Sequence, residues 1–171
     1  FGSSHLGSEF TLVSRAGSMF FTTIAALLIK SCRGEYTAEN YCLDLPGGDA
    51  YNGAQLWIWE CQWATGLNQK FGDGASEYGS TIPYGDFCVD AGNMEEGFQL
   101  MLWECNGYDQ QTFFCEGSID TSEGVDCSSL RTSTGLCVAA SDERDGAPVV
   151  LRTCDIGPWD WSYVEDRSVS V

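Results

Sequence analysis

Apolar and polar positions alternate in three short stretches of this chain, and the three stretches match. Counted back from Cys61, Cys105 and Cys154, the fifth residue is Leu56, Leu100 or Val149, and the third is Ile58, Leu102 or Leu151. Period-two spacing of this kind predicts a strand with one face in a core. Eight residues before the same cysteines stand Gly53, Gly97 and Gly146. Each stretch opens on a further cysteine, Cys42, Cys88 or Cys137. The unit thus recurs with a period of roughly 46–49 residues. A repeat of that length cannot bury its own apolar face, so the three copies share one core.

Where the copies differ, they separate structural positions from others. Two residues before the closing cysteine stand Trp59, Trp103 and Arg152. A position that accepts arginine faces water, so Trp59 and Trp103 read as exposed aromatics; the other reading is partly buried tryptophans at repeat contacts, since tryptophan is mostly buried. Sustained helical spacing is absent except over Met19–Lys30, MFFTTIAALLIK. That run is too short to span a bilayer, which takes about 20 residues. Its Phe, Thr and Ile predict an opening strand of the first repeat, with a membrane-facing or partner-facing segment as the alternative.

Three copies of about four short strands predict an all-β chain folded as a β-trefoil with an extra N-terminal segment, because closure removes exposed strand edges. The expected organisation is an extension over residues 1–27 and a trefoil over 28–166, with repeats at about 28–74, 81–116 and 129–166. The small-residue leader, residues 1–18, reads either as expression-derived sequence or as a native segment that docks on a partner.

Nine cysteines change the picture of where the protein works. Their equivalent placement points to the disulfides Cys42–Cys61, Cys88–Cys105 and Cys137–Cys154, each closing a loop that contributes on the order of 3 kcal/mol. Cys115 and Cys127 are a candidate pair across the junction of repeats two and three, which leaves Cys32 over. An extracytoplasmic compartment, secreted or lumenal, follows. Eight basic against 25 acidic residues give a net charge of −17, which disfavours nucleic acid and anionic membranes as partners. The one histidine, His5, lies in the leader, so neither a histidine-dependent triad nor a zinc site is expected. The glycine-rich stretches lack the P-loop pattern. No enzyme, cofactor or metal is expected.

The Cys-x-Asp openings, the Leu-Trp-x-Cys-like strands and the closing triplets Gln69-Lys70-Phe71, Gln111-Thr112-Phe113 and Trp159-Asp160-Trp161 resemble the ricin B-type (R-type) lectin domain with its QxW repeats. The resemblance implies a β-trefoil that binds galactose or other sugars. Its sugar-binding pattern falls on Asp44, Trp59 and Asn68, followed by Gln69, in the first repeat. In the second it falls on Asp90, Trp103 and Gln110, followed by Gln111, with glutamine in place of the family's asparagine. In the third it falls on Ala139, Arg152 and Pro158, which have lost the carboxylate and the aromatic. Four before the closing cysteine, where the family often has glutamine, stand Trp57 and Met101. An exposed indole covers a sugar's C–H face, while a carboxylate and an amide take its hydroxyls. Gln69 and Gln111 read as structural residues that bond backbone within their repeats, and Asp44 and Asp90 have a turn-capping reading beside the ligand one.

The expected function is therefore a carbohydrate-binding module with shallow sites in repeats one and two, its partner a glycan or glycoprotein. The alternative is a non-catalytic accessory subunit, with vestigial sugar sites, that docks other protein subunits through residues 1–30.

Overall fold

The computed structural model describes residues 33–38, 40–62, 65–72, 74–116, 119–121, 124–127, 129–154 and 161–165. The expected strand over Met19–Lys30, the leftover Cys32, the triplet residues Trp159 and Asp160, and Pro158 lie outside them.

The chain is built of short strands. The first repeat holds β1 (Arg33–Ala38), β2 (Tyr41–Asp44), β3 (Ala54–Gln55), β4 (Trp57–Glu60) and β5 (Phe71–Gly72). The second holds β6 (Pro83–Tyr84), β7 (Phe87–Asp90), β8 (Met101–Glu104) and β9 (Phe113–Glu116). A hairpin of β10 (Ile119–Thr121) and β11 (Gly124–Cys127) follows, and then β12 (Ser129–Thr132), β13 (Cys137–Ala140), β14 (Ala147–Arg152) and β15 (Trp161–Glu165). Helical structure among the described residues is limited to single 3-10 turns at Pro46–Gly48, Leu67–Gln69 and Asp109–Gln111.

The core explains the shared pattern. In each repeat a two-strand ladder sets a core residue of the opening strand against one of the closing strand: Leu43 against Ile58, Val89 against Leu102, Val138 against Leu151. All six are buried. One turn of the ladder outward, the three repeats meet backbone to backbone. Leu56 N–H donates to the Leu100 carbonyl at 2.9 Å, Leu100 N–H to Val149 at 2.8 Å, and Val149 N–H to Leu56 at 3.1 Å. The bonds close a ring, so each repeat satisfies the polar backbone that its neighbour buries. A second ring runs parallel to it: Gly53, Gly97 and Gly146 donate their N–H to the carbonyls of Leu102, Leu151 and Ile58 at 2.7–2.9 Å. These glycines hold φ of +91°, +85° and +75°, the left-handed region in which a Cβ is disfavoured. The glycine common to all copies is thus required by the turn that delivers this N–H.

This threefold closure, with β1 paired to β15 at the two ends of the described chain, is a β-trefoil. Disulfides join Cys42 to Cys61, Cys88 to Cys105, Cys137 to Cys154 and Cys115 to Cys127. The last one ties β9 to β11. That hairpin extends the sheet along β15, an addition that the repeat pattern does not contain.

Candidate functional site

The outer face of each two-strand ladder carries the divergent residues. In the first repeat Asp44 lies opposite Trp57 and Cys42 opposite Trp59, so the carboxylate and both indoles share one face, turned away from Leu43 and Ile58. The equivalent pairs are Asp90 with Met101 and Cys88 with Trp103 in the second repeat, and Ala139 with Val150 and Cys137 with Arg152 in the third. The third face has no carboxylate, and the Arg152 guanidinium donates to the Ser141 carbonyl at 3.4 Å.

In the first repeat the turn Leu67–Gln69 is drawn onto the end of β2 by Leu45 N–H, which donates to the Asn68 carbonyl at 3.0 Å. That contact delivers two side-chain amides to one carboxylate oxygen. Asn68 Nδ2 donates to Asp44 Oδ2 at 2.7 Å, and Gln69 Nε2 to the same atom at 2.9 Å. Gln69 also donates to the Glu60 carbonyl at 3.2 Å and accepts from Gln62 N–H at 2.8 Å. Fully buried, with both ends of its amide in use, Gln69 holds the carboxylate in place. Gln111 repeats the arrangement with Asp90 Oδ2 at 2.9 Å, the Glu104 carbonyl at 3.0 Å and Asn106 N–H at 2.8 Å.

The two carboxylates differ at their other oxygen. Asp90 Oδ1 accepts the N–H of Gly92 at 2.7 Å, a local turn cap. Two residues after Asp44 stands Pro46, which has no N–H to give. Asp44 Oδ1 accepts no bond from the described residues, although the residue as a whole is only 2% exposed. Asn68, which holds the other carboxylate oxygen, is half buried. In the second repeat Gln111 is the sole side-chain donor to Asp90 among the described residues, and Gln110 does not take the place of Asn68.

Burial raises the Asp44 pKa above the ordinary carboxylate value; the hydrogen bonds from Gln69 and Asn68 oppose the rise, and the charge of Asp145 adds to it. Asp145 comes from the third repeat. Its Oδ1 accepts Glu60 N–H at 2.7 Å, as Asn52 Oδ1 of the first repeat accepts Glu104 N–H at 2.7 Å. The neighbouring Gly146 backs the Trp59 indole: a Cβ built there would lie 3.5 Å from the ring. Trp59 and Trp103 are each 40% exposed, enough to offer a ring face while an edge rests on the next repeat. Sequence reading gives Asp145 no part in the site; the signal is the acceptor residue that precedes each shared glycine, Asn52, Glu96 or Asp145.

In the acidic loop after β13, Asp142 is paired with Arg144, and Asp145 is held by Glu60 N–H. Among the described residues no group of three or more His, Cys, Asp or Glu is arranged to hold a metal, and no helix is long and apolar enough to cross a membrane.

A β-trefoil with a carboxylate, amides and an exposed indole gathered on one outer face defines a sugar-binding class of domain. The model of the ricin-type beta-trefoil lectin domain matches residues 33–127, more than half of the chain, and the chain belongs to that family, whose domains bind carbohydrate. No curated protein matches the sequence. Solved structures with the same fold include the designed threefold-symmetric protein ThreeFoil, 19% identical, covering 77% of this chain and 97% of that one, TM-score 0.61. The C-half of the earthworm R-type lectin in complex with GalNAc is 16% identical over 77% of this chain and 97% of that one, TM-score 0.58. A non-toxic homologue of type II RIPs from Momordica charantia, in complex with α-methyl-D-galactoside, is 14% identical over 78% of this chain and 47% of that one, TM-score 0.58.

Proposed function

We propose that this lectin domain binds the terminal residue of a galactose-type glycan in the first repeat, on Asp44, Asn68 and Trp59. The observation that carries the reading is that Asp44 Oδ1 has no hydrogen-bond donor among the described residues, while an oriented Asn68 amide holds the other oxygen. A pyranose hydroxyl donates to that oxygen, a neighbouring hydroxyl accepts from or donates to the Asn68 amide, and the Trp59 ring covers the C–H face. Two relatives of the same fold are in complex with GalNAc and with α-methyl-D-galactoside, which is why galactose-type sugars are the first ligands to try.

The second repeat is the weaker site in this reading. Its Asp90 is capped by Gly92, and Gln110 leaves the Asn68 role unfilled, although Trp103 is as exposed as Trp59. The third repeat has no sugar site of its own in this reading. The domain acts by binding, as is general in its family, and its four disulfides support an oxidising, extracytoplasmic setting. The accessory-subunit alternative draws on residues 1–30, on Cys32, on the lost third site and on Trp57 and Met101; the Asp44, Trp59 and Asn68 set of the first repeat supports the sugar-binding reading over it.

A glycan-array screen of the disulfide-intact protein tests this. Enrichment of galactose- or N-acetylgalactosamine-terminated neutral glycans is the expected result. A folded sample that retains no glycan on the array contradicts the reading.

A further inference from the structure

A second feature lies just beyond the Asp44 pocket. The long loop between β2 and β4 encloses a cleft of about 280 Å³, lined by Pro46, Asp49, Tyr51, Gln55 and Trp57 among others. Small-molecule pockets begin at roughly 300 Å³, so this one suits a single sugar ring. Trp57 is its wall toward the first pocket, because Trp57 lies directly opposite Asp44 in the β2–β4 ladder. The cleft therefore adjoins Asp44 across one half-buried indole.

The cleft's chemistry is that of a second sugar position. Tyr51 is 61% exposed, and its backbone carbonyl anchors the turn by accepting Ala54 N–H at 3.0 Å, so the phenol ring is free for contact. Pro46 and Trp57 supply further apolar surface, the exposed Gln55 amide both donates and accepts, and the exposed Asp49 carboxylate accepts hydroxyls. Asp49 and the net charge of −17 also work against an anionic residue at this position.

We propose that this cleft is a second subsite, taking the penultimate neutral residue of an oligosaccharide whose terminal residue lies against Asp44, Asn68 and Trp59. The proposal rests on the sugar-binding reading of that first pocket. It makes the disaccharide, and not the monosaccharide, the unit that the first repeat recognises, with Trp57 standing between the two rings.

The test is a calorimetric titration of the full chain, wild type and Tyr51→Ala, with methyl galactoside and with a panel of neutral galactose-terminated disaccharides of different linkage. Thermal melts confirm that the variant is folded. The expected result is that one linkage binds about tenfold more tightly than methyl galactoside, and that Tyr51→Ala removes this gain while leaving methyl galactoside unchanged. If methyl galactoside binds but no disaccharide binds better, the subsite is overturned and the Asp44 pocket stands. Equal weakening of both ligands by Tyr51→Ala overturns it too. If folded wild-type protein binds neither, the Asp44 reading falls and the subsite falls with it.

Discussion

Pro46 holds in the first repeat the position that Gly92 holds in the second, and only Gly92 gives an N–H to the carboxylate two residues before it, at 2.7 Å. Two otherwise matching hairpins therefore hold their buried carboxylates differently: Asp90 is capped, and Asp44 keeps an acceptor oxygen without a protein partner among the described residues. Hence Pro46→Gly restores an N–H where Asp44 Oδ1 can accept it. The variant should bind sugar several-fold more weakly, since a hydrogen bond to a charged group is worth about 1.5–3 kcal/mol and part of that is then spent inside the protein. Titration of the variant beside wild type reads this, and unchanged affinity would mean that the proline has no part in the site.

Acidification should release the ligand earlier than an ordinary carboxylate would. A sugar hydroxyl donates more strongly to the ionised form of Asp44 than to the protonated one, and the pKa of this group is raised by burial and by the charge of Asp145. Affinity should then be lost as pH falls through that raised pKa, above the usual value of about 3.9. Stability responds to this group in the opposite sense. Its folded-state pKa exceeds the unfolded one, so its contribution is fully present below the unfolded value and is lost as pH rises through the folded one. Affinity measured across the acidic range checks the first effect; a profile flat down to about pH 4 argues against it.

Asp145→Asn separates the two inputs to that profile. The amide oxygen can still accept Glu60 N–H, while the charge that acts on Asp44 is gone. The pH midpoint for sugar release should move down with little change in melting temperature. A midpoint that stays in place would show that the third repeat does not act on the first-repeat site.

Gln69→Ala and Gln111→Ala should both cost stability. Each removes a fully buried amide and strands the groups that it bonds, Gln62 N–H and the Glu60 carbonyl in one case, Asn106 N–H and the Glu104 carbonyl in the other. An unsatisfied buried group costs about 1–3 kcal/mol, and each kcal/mol lowers Tm by about 2–4 °C in a domain of this size. Melting curves under oxidising conditions settle it. A Tm unmoved by either substitution would mean that these glutamines are not structural.

The parts of the fold that were legible in the sequence are those in which one residue type answers one constraint. Leu56, Leu100 and Val149 stand at the same place in each copy because the same hydrogen-bonded ring buries them, and Gly53, Gly97 and Gly146 recur because the turn needs positive φ. The residues of the pocket were legible by family resemblance, since Asp44, Trp59, Asn68 and Gln69 stand at motif positions. The division of labour among them was not. That Gln69 is spent on Glu60 and Gln62 while Asn68 faces the opening depends on burial, which their adjacency in the chain does not reveal. The contributions of Asp145 and Gly146 come from a different repeat, and only the threefold closure brings them to Glu60 and Trp59. Tyr51 belongs to a loop whose path is set by the glycines at 47, 48 and 53 and not by any apolar pattern, and Gln55 to the two-residue strand that follows it.

The central claim is that the first repeat is a working sugar site, and its most direct measurement is a titration of the best array ligand into wild type and Trp59→Ala. Trp59 is 40% exposed, so its removal should leave the fold and the four disulfides intact. Wild type should bind with a Kd of the order of 1 mM, equivalent to about −4.1 kcal/mol, and the variant should bind at least about tenfold more weakly. Equal affinity for wild type and a folded Trp59→Ala would contradict the account and move the site elsewhere, with the Trp103 face of the second repeat the next to be tested.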